Sequence, residues 1–441
     1  MSNNSFIIKL FLPAQAAAES EAAILAWKVS PGDRFTKGDT LADAESAKAS
    51  FTFEAPCDGT VVKLLCGEGD TVSFETPVIE IETTDETMRA AIPPAHAERE
   101  TRMAVSPGHD AAVAPSTRPV YMLGIGGYLP RRVVTTRELI REFPDITEDY
   151  VLGVTGIRQR HWAADDEKPS DMAYHASLEA LEKSGIGAKQ LDAIVVSTAT
   201  PDAAMPSTAC ILQNKLDVRG IPAFDINAAC SGWLYALSVA RGLVAAGSAA
   251  NVLVAGVEVQ SRLLDKSDKG TYFLFGDGAG AAVISGAIRG HVIGKEILTA
   301  DAKGLHMARR LSPGYCIAAA DDGVDPWIRL DGHALFRFAT ESFSAIIRDV
   351  IDKNGWKPDD VRWVVPHQAN GRILKAAAKK SGVPFERFYL NIDHVGNTSS
   401  ASIPLALLEI EKGLQNGDKI VLCSVGAGIT AAALPIEWRA A

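Results

Sequence analysis

Apolar runs and helix-spaced apolar positions take turns along the chain from about residue 119 onward, and they do so twice. In the first round, residues 192–200 and 221–226 are short runs rich in Val and Ile that predict buried strands. Residues 233–249 carry apolar side chains at helical spacing, and residues 251–259 form another strand-like run, followed by the glycine-rich stretch 276–283. In the second round, 361–367 and 388–394 predict strands, 399–413 a helix and 419–425 a strand. The intervals from Thr198 to Cys230 and from His367 to Asn397 are nearly equal, and each is followed by a helix and a similar strand. Such a pattern predicts two copies of one β-α-β-rich unit facing each other across a pseudo-two-fold.

Before residue 84 the pattern is different. Short alternating runs between Gly-Asp and Pro-Gly turns predict a small all-β module of two similar halves. Gly32-Asp33 with Phe35, Leu41 and Asp43 is echoed by Gly69-Asp70 with Val72, Val78 and Glu80. Lys48 falls near the tip of the hairpin between the halves, where an exposed lysine suits a modifying enzyme. From 84 to 118 periodicity stops, and Ala, Thr, charges and Pro93, Pro94, Pro107 and Pro115 predict a semi-extended tether. The boundaries expected are therefore 1–83, 84–118, 119–288 and 289–441.

Composition narrows the function classes. The chain has 441 residues and a net charge of −10, which argues against nucleic-acid binding. Cys57, Cys66, Cys210, Cys230, Cys316 and Cys423 show no paired spacing, which suits reduced thiols in a cytosol and no metal site. Neither a signal peptide nor an apolar run long enough for a membrane helix is legible.

Chemistry converges on Cys230. It sits where the 221–226 run turns into a helix, and backbone N–H groups there favour a thiolate. Ala228, Ala229 and Gly232 leave room for a substrate. The pseudo-two-fold would bring His367 and Asn397 to the same side, and an imidazole near a thiol should lower its pKa further. Such a cysteine can accept an acyl group from a thioester. If a malonyl-type thioester follows, its decarboxylation leaves an enolate oxygen, which His367 and the Asn397 amide can stabilise. Backbone N–H groups of Cys230 and of the Gly426–Gly428 turn are candidates to hold the oxyanion.

Two resemblances extend this reading. Trp27, the Gly-Asp turns, Glu45-Ser-Ala-Lys48-Ala-Ser50 and Ala55-Pro-Cys-Asp-Gly59 resemble lipoyl and biotinyl carrier domains. The resemblance implies a covalent lipoyl or biotinyl group on Lys48; the flanking residues look like the lipoyl branch, with Ala47 where that family usually has Asp. It also implies a lipoyl ligase and an acyl-generating enzyme as partners. Residues 119–441 resemble the thiolase-fold condensing enzymes, closest to β-ketoacyl-acyl carrier protein synthase III. The motifs are Gly124–Pro130, Thr155–Arg160, Asn227–Gly232, Phe275–Ala281, Val365–Asn370 and Gly396–Ser400.

This second resemblance implies a duplicated five-layered αβαβα fold, and Cys230 as acylated nucleophile with His367 and Asn397 assisting. It implies a homodimer, an acyl carrier protein as partner, and coenzyme A or phosphopantetheine thioesters as substrates. Tyr150, Arg262 and Arg372 match positions at the coenzyme A or pantetheine entrance, while Val154 replaces an expected Arg. An acyl donor riding on lipoyl-Lys48 is one expectation. Acyl transfer to an alcohol or amine, or a non-catalytic scaffold docked through the β-module, are the alternatives. Gly276–Gly280 follows the family pattern and is weak as a dinucleotide signature.

Overall fold

The structure is a computed structural model that describes residues 5–13, 21–46, 50–74, 76–85, 87–88, 119–310 and 325–439. The chain divides into two compact units, Met1–Thr101 and Arg102–Ala441. Almost all of the expected tether, and Lys48 with its two neighbours, lies outside the described residues.

The first unit contains β1 (Phe6–Phe11), β2 (Glu21–Trp27), β3 (Arg34–Phe35), β4 (Thr40–Ser46), β5 (Ser50–Glu54), β6 (Gly59–Leu64), β7 (Thr71–Ser73) and β8 (Pro77–Thr83). They form two four-stranded sheets, ordered β1-β8-β6-β3 and β5-β4-β2-β7. The sequence repeat is a repeat in space. Buried Leu41, Ala42 and Ala44 in β4 match buried Val78, Ile79 and Ile81 in β8. The two Gly-Asp turns are built alike. Gly32 and Gly69 take φ of +95° and +85°, a region that glycine enters without a Cβ penalty. Gly32 N–H donates to Val61 O at 2.8 Å, and Gly69 N–H donates to Ile24 O at 2.7 Å, so each turn ties down a strand of the other half. β4 and β5 pair antiparallel out to Glu45 opposite Ser50.

The second unit opens with β9 (Tyr121–Tyr128), β10 (Arg132–Thr135), α1 (Thr136–Leu139), α2 (Glu148–Thr155), β11 (Gln159–Trp162) and α3 (Pro169–Ser184). Then come β12 (Ala193–Ser197), α4 (Thr208–Lys215), β13 (Ala223–Ile226), α5 (Gly232–Ala245), β14 (Asn251–Glu258) and β15 (Gly278–Ser285). They are followed by β16 (His291–Ile293), β17 (Ile297–Ala300), β18 (Ala308–Arg309), β19 (Arg329–Leu330), α6 (Gly332–Lys353) and β20 (Val361–Pro366). The chain closes with α7 (Gly371–Ser381), α8 (Ile392–Val395), α9 (Ser402–Ile410), β21 (Lys419–Gly426) and β22 (Thr430–Glu437).

Strand order runs β13-β12-β14-β15-β9-β16-β22-β21-β20, with β17 on β22. β16 pairs with both β9 and β22 and so joins the two halves. Period-two alternation sorts the strand side chains into layers. Val195 and Val254 point toward α5 and α9, together with Leu422 and Leu434 from the other half. Ile194, Val196 and Leu253 point the opposite way, onto α3 and α4. Val421 and Ala433 likewise face away from the centre, onto α6 and α7. The result is helices, strands, central helices, strands, helices. Strands covered on both faces explain why these runs are apolar without alternation.

Two expected elements differ. Helix α5 ends at Ala245 and does not run to 249, because Gly247 turns to a φ of +76° and Ser248 N–H bonds back to Leu243 O at 2.9 Å. Residues 388–394 do not form a strand: one bridge joins Phe388 to Val364, and α8 follows. The Gln368 side chain takes the ladder positions there, donating to Tyr389 O at 3.1 Å and accepting from Asn391 N–H at 3.1 Å.

Candidate active site

Cys230 lies in a single 3₁₀ turn, Ala229–Ser231, that runs directly into α5. Ala229 is held at a φ of +47°, unusual for a residue with a Cβ. The turn keeps that shape because β21 and β22 grip it. Thr430 Oγ1 donates to Ala228 O at 3.0 Å, Ser424 Oγ to Cys230 O at 2.9 Å, and Ser231 Oγ to Thr430 O at 3.2 Å. Gly426 closes on the same turn so tightly that a Cβ there would stand 2.9 Å from the backbone nitrogens of Cys230 and Ser231. Gly428, in the turn between β21 and β22, adopts a φ of +133°.

Ser399 is the hub of the site. Its φ of +49° is again a left-handed conformation on a residue with a side chain. Asn397 holds it there, accepting the Ser399 N–H on Oδ1 at 2.9 Å. The Ser399 hydroxyl lies 3.5 Å from Cys230 Sγ. Ser399 O accepts from Ser402 Oγ at 2.8 Å, and Ser402 Oγ lies 2.7 Å from His367 Nδ1. One buried serine therefore links Cys230, His367 and Asn397, which the sequence places far apart. Ser402 has a single hydroxyl proton, and we assign it to the Ser399 carbonyl. The Ser402 oxygen can then only accept from His367, so Nδ1 carries the imidazole proton and Nε2 is left as an acceptor.

The glycines of 276–280 let this loop close. A Cβ would come within 2.4 Å of Val395 O at Gly276, and within 2.5 Å of Pro404 Cγ at Gly280. Gly276 N–H also donates to Asn397 O at 3.0 Å. The stretch seats the Asn397 loop against β15.

Electrostatics correct one expectation. Burial pushes the Cys230 thiol up to about 11; the Ser399 hydroxyl opposes that rise and the Glu258 carboxylate adds to it. The expected depression by the helix end and the imidazole does not win. Burial also pushes His367 down to about 3, so the imidazole is neutral and no cation faces the sulfur. At rest the site holds a neutral thiol and a neutral imidazole.

Glu258, Ser399 and Ser402 are site residues that the sequence reading missed. Glu258 ends β14 fully buried, and burial pushes its carboxyl up to about 7. An acidic residue inside the apolar run 251–259 was the available signal. Ser399 lay inside the Gly396–Ser400 motif with no role assigned to it, and nothing marked Ser402.

The entrance residues fall at two places. Tyr150 is 38% exposed on α2. Asn370 Nδ2 donates to Val154 O at 3.1 Å, tying α2 to the start of α7, where Arg372 is exposed. The Arg262 guanidinium is held by its edge: Nη2 donates to Ala164 O at 2.6 Å and to Glu167 O at 2.8 Å. No group of three or more His, Cys, Asp or Glu among the described residues is placed to hold a metal ion.

Comparison with known proteins decides the family. Residues 224–302 match the family model for 3-oxoacyl-[acyl-carrier-protein] synthase III, and 351–438 match the model for its C-terminal part. A β-ketoacyl-[acyl-carrier-protein] synthase III from Methylococcus capsulatus is 41% identical over 307 residues, covering 69% of this chain and 94% of that protein. The chain belongs to the β-ketoacyl-[acyl-carrier-protein] synthase III family of condensing enzymes. Its structure is similar to the synthase III of Aquifex aeolicus, at 37% identity and a TM-score of 0.67 over 72% of this chain and all of that one. The priming β-ketosynthase of the R1128 polyketide pathway is also similar, at 34% identity and a TM-score of 0.68 over 73% of this chain and 97% of that one. Residues 9–81 match the family model described as biotin-requiring enzyme, so this synthase carries a biotinyl/lipoyl-type domain ahead of its condensing unit. No helix among the described residues is long and apolar enough to cross a membrane.

Proposed function

We propose that Cys230 takes an acyl group from a coenzyme A or carrier-protein thioester and passes it to a malonyl-type thioester in a decarboxylative Claisen condensation. The observation that carries this is the hydrogen-bonded connection of Cys230, His367 and Asn397 through Ser399. In the loading step the thiol proton must leave, and the unprotonated Nε2 of neutral His367 is suited to accept it. The sulfur then attacks the thioester carbonyl, and the oxyanion falls to the Cys230 N–H with Gly426 and Gly428 nearby; as the intermediate collapses the donor's C–S bond breaks, and the departing thiolate takes a proton from solvent while His367 keeps the one from Cys230. In the second step the malonyl carboxylate leaves as carbon dioxide. The enolate oxygen is stabilised by the Asn397 amide and the now-protonated His367. The enolate carbon attacks the acyl carbonyl, the C–S bond breaks, the Cys230 sulfur takes its proton back from His367, and a β-ketoacyl thioester leaves.

Tyr150, Arg262 and Arg372 are proposed to line the entrance for the coenzyme A or pantetheine arm, and an acyl carrier protein is the proposed partner. A stacking role for Arg262 uses the face of its guanidinium and leaves the edge bonds to the 164–167 loop intact. Homodimerisation is supported by β13, an outermost strand whose four residues are all only half-buried. Lys48 is proposed as a lipoyl attachment site. A lipoyl group there would carry an acyl thioester only in its reduced, dihydrolipoyl form, so an acyl-generating partner enzyme would have to reduce and acylate it. The protein is proposed to act in the cytoplasm.

The test is product analysis with an acyl thioester and a malonyl carrier protein. Carbon dioxide release matched by a β-ketoacyl product supports condensation. Transfer of the acyl group to an alcohol or amine without carbon dioxide contradicts it.

A further inference from the structure

Directly behind Cys230 lies a carboxylate that the reaction above does not use. Glu258 is fully buried and has no cation among its hydrogen-bond partners. Its Oε2 accepts from Thr200 Oγ1 at 2.9 Å and from Gln260 Nε2 at 3.2 Å, and its Oε1 accepts from Ser400 Oγ at 3.0 Å. Ala199 N–H lies 3.2 Å from both oxygens. The remaining partner is the Ser399 hydroxyl, 3.3 Å from Oε1 and 3.5 Å from Cys230 Sγ.

Ser399 has one hydroxyl proton and two acceptors competing for it. When Glu258 is a carboxylate it takes that proton, and the sulfur keeps its own, pointed at Ser399 Oγ. When Cys230 is a thiolate it takes the proton, and Glu258 is best accommodated as the neutral acid. We propose that Glu258 and Cys230 share a single negative charge through the Ser399 hydroxyl, and that Glu258 thereby governs when the sulfur is a thiolate. The inference rests on Cys230 being the nucleophile.

Proton balance is simple. The S–H bond breaks and an Oγ–H bond forms on Ser399, while the original Ser399 O–H breaks and an Oε1–H forms on Glu258. The pair keeps one negative charge throughout, and a second ionisation is opposed by like charge at short range. Glu258 thus acts through another residue, as a positioning and charge-setting group. Acylation converts the sulfur to a neutral thioester and relieves the pair, so the resting enzyme holds a guarded thiol. The burial that raises the Cys230 thiol and the Glu258 carboxyl together is consistent with this. Other titratable groups nearby do not substitute for Glu258. His367 meets Ser399 at its backbone carbonyl and through Ser402, Cys423 is a buried thiol of β21, Asp277 is bound to Ser261 and the Ala163 N–H, and Asp225 to the Thr208 and Ala209 N–H groups.

The experiment is the pH dependence of Cys230 alkylation by iodoacetamide in the full-length protein, read by peptide mass spectrometry, for wild type and Glu258→Gln. In wild type the logarithm of the rate should rise with pH, flatten near neutrality as Glu258 ionises, and rise again. In the variant it should rise without a break. The two should coincide below the break, with the variant ~10-fold faster above it. A wild-type profile with no break overturns the proposal and needs no variant. A variant profile parallel to wild type at every pH, faster or slower, also overturns it, because a purely structural role predicts that. Because alkylation involves neither a malonyl substrate nor carbon dioxide, its failure is distinguishable from failure of the condensation reading.

Discussion

Gly426 and Cys230 meet backbone to backbone: a Cβ on the glycine would stand 2.9 Å from the cysteine nitrogen, with Ala228 O 3.0 Å away on the same turn. None of these atoms can swing aside as a side chain could. Gly426→Ala must therefore displace the Cys230 turn or the end of β21. A shift of a few tenths of an ångström disturbs both the sulfur and the N–H donor for the oxyanion. Acyl loading should fall ~10²-fold, in the range seen when one oxyanion donor is lost. Single-turnover loading on Cys230 is the measurement; unchanged loading would mean that the turn and the strand end move together without cost.

Asn397 separates the two chemical steps. Its Oδ1 holds Ser399 N–H at 2.9 Å, and the amide NH₂ is the part assigned to the enolate. Asn397→Asp keeps the acceptor and replaces the donor by a carboxylate oxygen that opposes enolate charge. Acylation of Cys230 should survive while malonyl decarboxylation falls ~10²–10³-fold. Equal losses in both half-reactions would assign Asn397 a structural role alone.

His367 should not titrate in the neutral range. Its pKa is lowered to about 3 by burial, so it stays neutral at every pH above that and holds its proton on Nδ1. ¹⁵N NMR of labelled histidine should show one bare and one protonated ring nitrogen with no change across neutrality. Ser402→Ala removes the oxygen that fixes this tautomer. A buried hydrogen bond is worth ~1 kcal/mol, so turnover should drop ~5-fold, with the two ring-nitrogen signals becoming mixed. A resting imidazolium signal would contradict the assignment.

Lys48 is tested by intact mass. Protein made in its native host should carry a lipoyl adduct that disappears in Lys48→Arg, and loading of Cys230 should slow in that variant. An unmodified lysine with full activity in the variant would remove the carrier role and leave the condensing chemistry untouched.

Much of this was legible in the chain. The alternation of 361–367, 399–413 and 419–425 led directly to β20, α9 and β21, because long apolar runs sandwiched between helices leave a strong pattern. The Gly-Asp repeat of residues 32–80 became two interlocked half-sheets, because a positive-φ turn leaves its glycine visible. The 388–394 run misled, since its backbone partners come from the Gln368 side chain, and no periodicity reports a side chain. The roles of Ser399 and Ser402 were invisible for a similar reason: they depend on the left-handed φ of Ser399 and on partners at the end of β14, in the turn before α5 and just after β20. The thiol was expected to be acidic because the helix start was legible, whereas the burial and the Glu258 charge behind it were properties of the folded core.

The most direct test is to supply an acyl-coenzyme A without any malonyl substrate, quench in acid, and map the acyl group by peptide mass spectrometry. The predicted result is one acyl group per chain on the Cys230 peptide, lost in Cys230→Ala and discharged as a β-ketoacyl thioester with carbon dioxide when malonyl carrier protein is added. An acyl group found elsewhere, or turnover that persists in Cys230→Ala, would contradict it.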